Sequence, residues 1–263
     1  MSEISNIKKE QDKFSDSLVF EGMTSISAVI NSPQSNDRRI NEVLYDASKE
    51  RSKAKELGFL RHKSSELGFD LTAVDSEVIK NMTIGSSHGG IIALCTDRTI
   101  PSLEDAKNDL KPDGFYVMIE GVEDPYNFGY ALRSLYAAGV DGVILSKRNW
   151  MGAAGVVARA SAGASEMLPL FVDTDSSCAE TFKSMGYKII CAGIRNSVSI
   201  YEADMKKPVF LIIGGEKRGI SSSLLEKADE IVRIDYASGF KGSLSAASSA
   251  AIIGFEVMHQ NNI

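Results

Sequence analysis

Residues 116–145 read YVMIEGVEDPYNFGYALRSLYAAGVDGVIL. An apolar run of strand length, Tyr116–Ile119, gives way to a loop, Glu120–Gly129, and then to a segment whose apolar residues Ala131, Leu132, Leu135 and Ala138 recur at helical spacing. A second apolar run, Gly142–Leu145, follows. Strand, helix and strand in this order form a βαβ unit, which forces the two strands parallel. The pattern continues downstream. Strands are predicted at Leu168–Val172, Lys188–Ala192, Val209–Ile213 and Glu230–Ile234, with helices at Ala179–Met185, Ser221–Lys227 and Leu244–Met258. The expectation is an α/β fold around a mostly parallel sheet. In such sheets ligands bind outside the carboxyl ends of the strands, so the loops that follow strands should carry the chemistry.

Upstream, Val43–Tyr45, Leu71–Val74 and Ile91–Leu94 read as strands and Ser52–Leu67 as a surface helix. The resulting organisation is a polar, frayed N-terminus over 1–16, a smaller α/β domain over 17–98, a linker over 99–113 and a larger domain over 114–263. The linker holds Pro101 and Pro112 and one short helical stretch, Leu103–Leu110. At about 100–200 residues per domain, 263 residues allow this division. A hydrophobic fraction of 43% and a charged fraction of 24% exclude a disordered or collagen-like chain. No run of about 18 apolar residues predicts a membrane span, and the polar N-terminus does not read as a signal peptide. Cys95, Cys178 and Cys191 lie far apart, without a CxxC pair or clustered histidines. That pattern predicts no metal site and no disulfide framework, and fits a reducing cytoplasm.

Three loops stand out. The first, Glu120–Gly129, enters a helix at Asn127, read as an N-cap, with Arg133 six residues on. The second, Gly214-Gly215-Glu216-Lys217-Arg218-Gly219, is rich in glycine but has neither the GxGxxG spacing of a dinucleotide site nor the GK[ST] of a P-loop. In the third, Ile234–Ser249, small residues open the last helix at Ser243-Leu244-Ser245. Each alone reads as ordinary capping, turning or close packing.

Taken in order, Asn127-x-Gly129-x-x-x-Arg133, Gly214-x-Glu216-x-x-Gly219 and Ser243-Leu244 before a helix ending in Phe255-Glu256 resemble the SpoU/TrmH family of RNA 2′-O-ribose methyltransferases. The spacer Arg159-Ala160-Ser161-Ala162-Gly163-Ala164 is similar to that family's sequence as well. The resemblance covers about 113–263. It implies an α/β knot, in which the C-terminal helix threads a loop to make a deep trefoil; general topology rules argue against such a knot. Residues 18–96 are similar, more weakly, to the family's RNA substrate-binding domain, of ribosomal-protein-like α/β fold, down to His88-Gly89-Gly90-Ile91-Ile92-Ala93. There Gly89 stands where the family commonly has glutamine.

The resemblance further implies S-adenosylmethionine as methyl donor, a homodimer with its site near the subunit interface, and structured RNA, rRNA by its two-domain layout, as substrate. A tRNA substrate is the alternative. By position, backbone groups at Gly214, Ile234 and Leu244 would hold the cofactor. Arg133 matches the catalytic arginine, Asn127 would orient it or the ribose, and Glu216 would hold the loops in register. Arginine stays protonated below about pH 12. Arg133 therefore acts either as a base, after passing a proton to the RNA phosphate, or as a lasting cation that stabilises alkoxide and grips that phosphate. The third motif departs from the family's Ser-Leu-Asn-Val-Ser: Ser243 is kept, Ser245 replaces an asparagine and Ala247 a serine. That departure leaves a noncatalytic RNA-binding paralogue as a competing reading.

The formal charge is −6, so the whole surface does not invite polyanions. Within 49–63, however, six cations face only Glu50 and Glu56. With the support of the resemblance, Lys53, Lys55, Arg61 and Lys63, together with Arg38, Arg39 and Arg159, are the expected RNA contacts.

Overall fold

The computed structural model describes residues 18–84, 88–146, 153–173 and 177–262. The expected frayed segment 1–16 lies outside them. Along the chain the strands are β1 (Leu18–Glu21), β2 (Ile40–Asp46), β3 (Asp70–Val74), β4 (Ile91–Cys95), β5 (Phe115–Glu120), β6 (Gly142–Leu145), β7 (Leu170–Val172), β8 (Lys188–Ala192), β9 (Val198–Ser199), β10 (Val209–Gly214) and β11 (Glu230–Arg233). The helices are α1 (Gly22–Ile30), α2 (Ala54–Leu67), α3 (Ser76–Met82), α4 (Pro125–Ala137), α5 (Ala154–Ala160), α6 (Ala164–Met167), α7 (Cys178–Ser184), α8 (Ser222–Leu225) and α9 (Ala246–Gln260).

Two units form. The first joins Met1–Thr99 to Met151–Met167, and the second joins Ile100–Trp150 to Leu168–Ile263. In the first, four strands lie in the order β1-β4-β2-β3, with β4 antiparallel to both neighbours and β2 parallel to β3. Every residue of β4 is buried, as its unbroken apolar sequence requires. Its core includes Phe20, Ile26, Leu57, Leu60 and Ile91 with Ala154 and Ala158 of α5. Here the structure departs from the sequence expectation, which kept 151–167 within 114–263. The reason is steric: a Cβ at Gly155 would fall 1.8 Å from the Val19 carbonyl oxygen, so only glycine lets α5 lie this close to β1.

The second unit holds seven strands in the order β7-β6-β5-β10-β8-β11-β9, and every pairing among them is parallel. The expected linker over 99–113 is instead part of this unit. Leu103, Ala106 and Leu110 are buried in its core, the Leu103 N–H donates to the Val172 carbonyl at 2.9 Å, and only Lys107–Asp109 turns as a short 3₁₀ segment. Helix α4 starts at an Asp124 cap followed by Pro125 at the first helical position, where a missing N–H costs nothing. It buries Phe128, Ala131, Leu132 and Leu135. Helix α9 packs along it, and a Cβ at Gly254 would stand 3.2 Å from Leu135 Cδ2. At β5 and β10 the chain leaves adjacent strands in opposite directions, β5 toward β6 and β10 toward β11. That is the switch point where open parallel sheets bind ligands.

Candidate active site

The loops after β5 and β10 meet at this switch point. The Gly215 N–H donates to the Glu120 carbonyl at 2.6 Å, and the Glu120 carboxylate accepts from the Ser221 N–H at 2.9 Å. Backbone contact is so close that a Cβ at Gly215 would lie 2.3 Å from the Gly121 oxygen, and one at Gly214 would lie 2.4 Å from the Gly219 carbonyl carbon. Both glycines are therefore needed for approach. Lys217 pairs with Glu123 at 2.6 Å across the same seam. Between the loops lies a cleft of about 230 Å³, lined in part by Gly121, Asp124, Asn127 and Glu216.

Asn127 is not the N-cap the sequence suggests. The Asp124 carboxylate takes that place, accepting from the Tyr126 N–H at 3.1 Å and the Asn127 N–H at 3.4 Å. Set within the first turn, the Asn127 side chain reaches across the cleft instead. Its Nδ2 donates to Glu216 Oε1 at 2.9 Å, and its Oδ1 accepts from the Ala247 N–H at 3.2 Å. That N–H belongs to the first turn of α9, where helix amides lack partners of their own. One carboxamide thus fastens the first loop to the second and to the third.

The third loop closes through its own contacts. The Leu244 N–H donates to the Tyr236 hydroxyl at 3.2 Å, and the Ser245 hydroxyl caps α9 by accepting from the Ser248 N–H at 3.1 Å. Ser243 is exposed, while Gly214, Ile234 and Leu244 are half-buried. Arg133 lies about 9 Å further along α4 than Asn127, at 1.5 Å per residue. It is exposed, on the face opposite the buried stripe, and its guanidinium has no hydrogen-bond or ion-pair partner among the described residues.

Residues 114–255 match the SpoU rRNA Methylase family model. The chain belongs to that family. A Shewanella oneidensis relative named 23S rRNA (guanosine-2′-O-)-methyltransferase RlmB is 31% identical over 209 residues, 76% of this chain and 82% of that one. A Staphylococcus saprophyticus protein, placed by name in the TrmH family of tRNA/rRNA methyltransferases, is 36% identical over 147 residues, 56% of this chain and 59% of its own length. In fold, the chain resembles the AdoMet-bound rRNA methyltransferase from Sinorhizobium meliloti, with a TM-score of 0.74 at 24% identity over 96% of this chain and 90% of that one.

In this SpoU-family chain the basic residues singled out on sequence divide sharply. Arg38 is a correction: it is buried, not a surface contact. Its Nε meets Glu166 Oε2 at 2.9 Å, with both side chains 3% exposed, while Nη1 donates to the Thr96 carbonyl at 2.7 Å and the guanidinium stacks 4.8 Å over the Phe20 ring. Arg159 is held by Glu21. Lys53, Arg61 and Lys63 pair with Glu56, Glu50 and Glu66 at 2.8, 2.8 and 2.7 Å, which mutes the local charge. Arg39 and Lys55 are exposed, with side chains unpaired among the described residues. Four residues that knit the site, Glu120, Glu123, Asp124 and Tyr236, had no functional role in the sequence reading. Asp124-Pro125 is a legible helix start; Glu120 and Glu123 act through partners about 100 positions away, and Tyr236 through Leu244, eight residues on.

Among the described residues no three His, Cys, Asp or Glu side chains gather as a metal site, and no helix is long and apolar enough to cross a membrane. The three cysteines are free and buried, and burial pushes the thiols of Cys95 and Cys191 up to about 12.

Proposed function

We propose that this chain methylates a ribose 2′-hydroxyl in structured RNA, with rRNA as its substrate and S-adenosylmethionine as donor. The observation that carries this reading is the Asn127 carboxamide, which draws together the turns bearing Glu216 and Ala247 on the helix that also bears an unneutralised Arg133. The relative named as a 23S rRNA guanosine 2′-O-methyltransferase supports it over most of both chains.

The turns suit an adenosyl group. Half-buried backbone at Gly214, Ile234 and Leu244 offers hydrogen bonds to a neutral heterocycle without fixed charge, and glycine removes the side chain that would stand in the way. When bound, the donor supplies an electrophilic methyl on sulfonium sulfur. The protein's own task is to place and activate a weak nucleophile, since a ribose hydroxyl must lose its proton as it attacks. The cationic Arg133 guanidinium stabilises the charge developing on the 2′-oxygen and grips the adjacent phosphate. Asn127 and Glu216 position the turns and do not touch the reacting atoms. Ser243 and Ser245 open the cofactor-side helix, where Ser245 serves as its cap.

We read the second unit as a trefoil α/β knot closed by α9, a reading supported by α9 packing along α4 and reaching Asn127. A homodimer is proposed because α4 and α9 leave Tyr130, Tyr136 and Phe255 between 42% and 51% exposed, an aromatic surface suited to a second copy. Residues 17–98 would bind RNA, with Arg39 and Lys55 as unpaired contacts and Lys53, Arg61, Lys63 and Arg159 contributing the donors their present ion pairs leave over. Cytoplasmic placement follows from that substrate. The test is mapping of 2′-O-methyl groups on rRNA from cells with and without the protein, paired with calorimetry of S-adenosylmethionine binding. A site that disappears with the protein supports the reading; cofactor binding with no altered RNA position overturns it.

A further inference from the structure

In the first unit a polar cleft of about 360 Å³ opens between the start of α1, the start of α2, the turn before β4 and α5. Six side chains give it its chemistry: Glu21, Ser25, Lys53, Glu56, His88 and Arg159. Its volume lies within the range of about 300–1,000 Å³ for small-ligand sites. The cationic and anionic groups balance, because Arg159 is bonded to Glu21 and Lys53 to Glu56. A phosphate would gain two cations but meet two carboxylates. A neutral ligand with donors and acceptors on one edge meets no such conflict.

The hydrogen bonds fix the polarity. The Gly90 N–H donates to His88 Nδ1 at 3.0 Å, which places the imidazole proton on Nε2, a donor with no partner among the described residues. Two left-handed glycines, Gly89 and Gly90, shape the turn that holds this ring. Glu21, 8% exposed, is anchored by the Ile84 N–H at 3.0 Å and by Arg159, yet each of its oxygens keeps a lone pair. Ser25, fully buried at the same cleft, has a hydroxyl with no hydrogen-bond partner among the described residues. Buried polar groups are ordinarily satisfied, and this orphan points to a missing ligand.

We propose that this cleft takes one unpaired nucleobase of the RNA, guanine by preference; the proposal rests on RNA being the substrate. Guanine alone among the RNA bases sets two neighbouring donors, N1–H and N2–H₂, beside the acceptors O6 and N7. The donors match the carboxylates of Glu21 and Glu56, and the acceptors match His88 Nε2–H, Lys53 and the Ser25 hydroxyl. Single-stranded bases are read in this way, on edges splayed out of the helix.

The test uses the full chain labelled with ¹⁵N-histidine and titrated with guanosine monophosphate, cytidine monophosphate and inorganic phosphate. The two other histidines, His62 and His259, serve as exposed controls. Guanosine monophosphate should move the His88 ring signals saturably, with cytidine monophosphate binding about tenfold more weakly and phosphate leaving them in place. Ser25→Ala should weaken the guanine response while S-adenosylmethionine affinity stays unchanged. A motionless His88, equal shifts from both nucleotides, or shifts from phosphate alone would each overturn the proposal. Loss of the guanine response with rRNA methylation intact would remove the cleft and leave the activity standing; the reverse pattern would remove the activity alone.

Discussion

Asn127 donates its amide hydrogen to Glu216 at 2.9 Å across 89 positions of sequence, while its carbonyl accepts from the first turn of α9. The pair is the joint at which separate turns become one site. Asn127→Ala removes both bonds and should lower kcat for methyl transfer by about 10–100-fold, at a stability cost of about 1 kcal/mol for two partly exposed bonds. In a double-mutant cycle with Glu216→Ala the coupling should fall within about 0.5–3 kcal/mol. Additive losses in that cycle would mean the two residues act separately.

Arg133 is exposed and makes no hydrogen bond or ion pair among the described residues. Arg133→Ala should therefore leave the urea midpoint within about 0.5 kcal/mol of the parent and leave S-adenosylmethionine binding intact, while abolishing methyl transfer. Arg133→Lys should recover little, because an ammonium cannot make the two parallel bonds a phosphate accepts from guanidinium. Turnover retained in the alanine variant would take this residue out of the mechanism.

Arg38 behaves oppositely. Its bond to Glu166 is closed from water on both sides, so Arg38→Met strands a buried carboxylate that also accepts from Asn36 Nδ2 at 3.0 Å. The expected loss is about 3–5 kcal/mol in denaturant unfolding. RNA affinity of the protein that remains folded should not change. Arg38→Met combined with Glu166→Leu should recover much of the stability, whereas weakened RNA binding in the combined variant would restore Arg38 as a surface contact.

The thiols impose an alkaline limit. Burial raises Cys95 and Cys191 to about 12 in the folded chain, above the unfolded value of about 8.5. A group held protonated in the fold stabilises it fully below the unfolded pKa and loses that contribution as pH climbs toward the folded one. Unfolding free energy should thus decline between about pH 8.5 and 12, and less steeply in Cys95→Ala. In the same spirit, a thiol reagent at neutral pH should label these residues only after denaturation. Rapid labelling of the native protein would contradict the burial.

Much of the second unit is legible in the sequence because its strands are central and parallel. Val209–Gly214 and Phe115–Ile119 carry unbroken apolar runs that admit little else. The start of the first unit is harder to read. Leu18–Ile30 mixes apolar and small polar residues across a strand and a helix with no clear change of period to mark their junction at Gly22. Strand β9 has two residues, too few for any pattern. At the site, motif spacing picks out Asn127 and Glu216, yet a capping role for Asn127 holds only until Asp124-Pro125 is weighed, since Asp124 is the cap. Arg38 shows the deeper limit. Nothing local distinguishes it from Arg39; its burial is decided by Glu166, 128 positions away.

The contact of Gly155 with Val19 bears on how this enzyme could be divided. Because α5 and α6 belong to the first unit, the backbone crosses between the units after Thr99, after Trp150 and after Met167. Deleting the N-terminal hundred residues would strip β1 from a helix whose Ala154, Gly155 and Ala158 are shaped to receive it. What survived would carry a raw apolar stripe where β1 had lain, so the two units of this chain cannot be parted by a single cut.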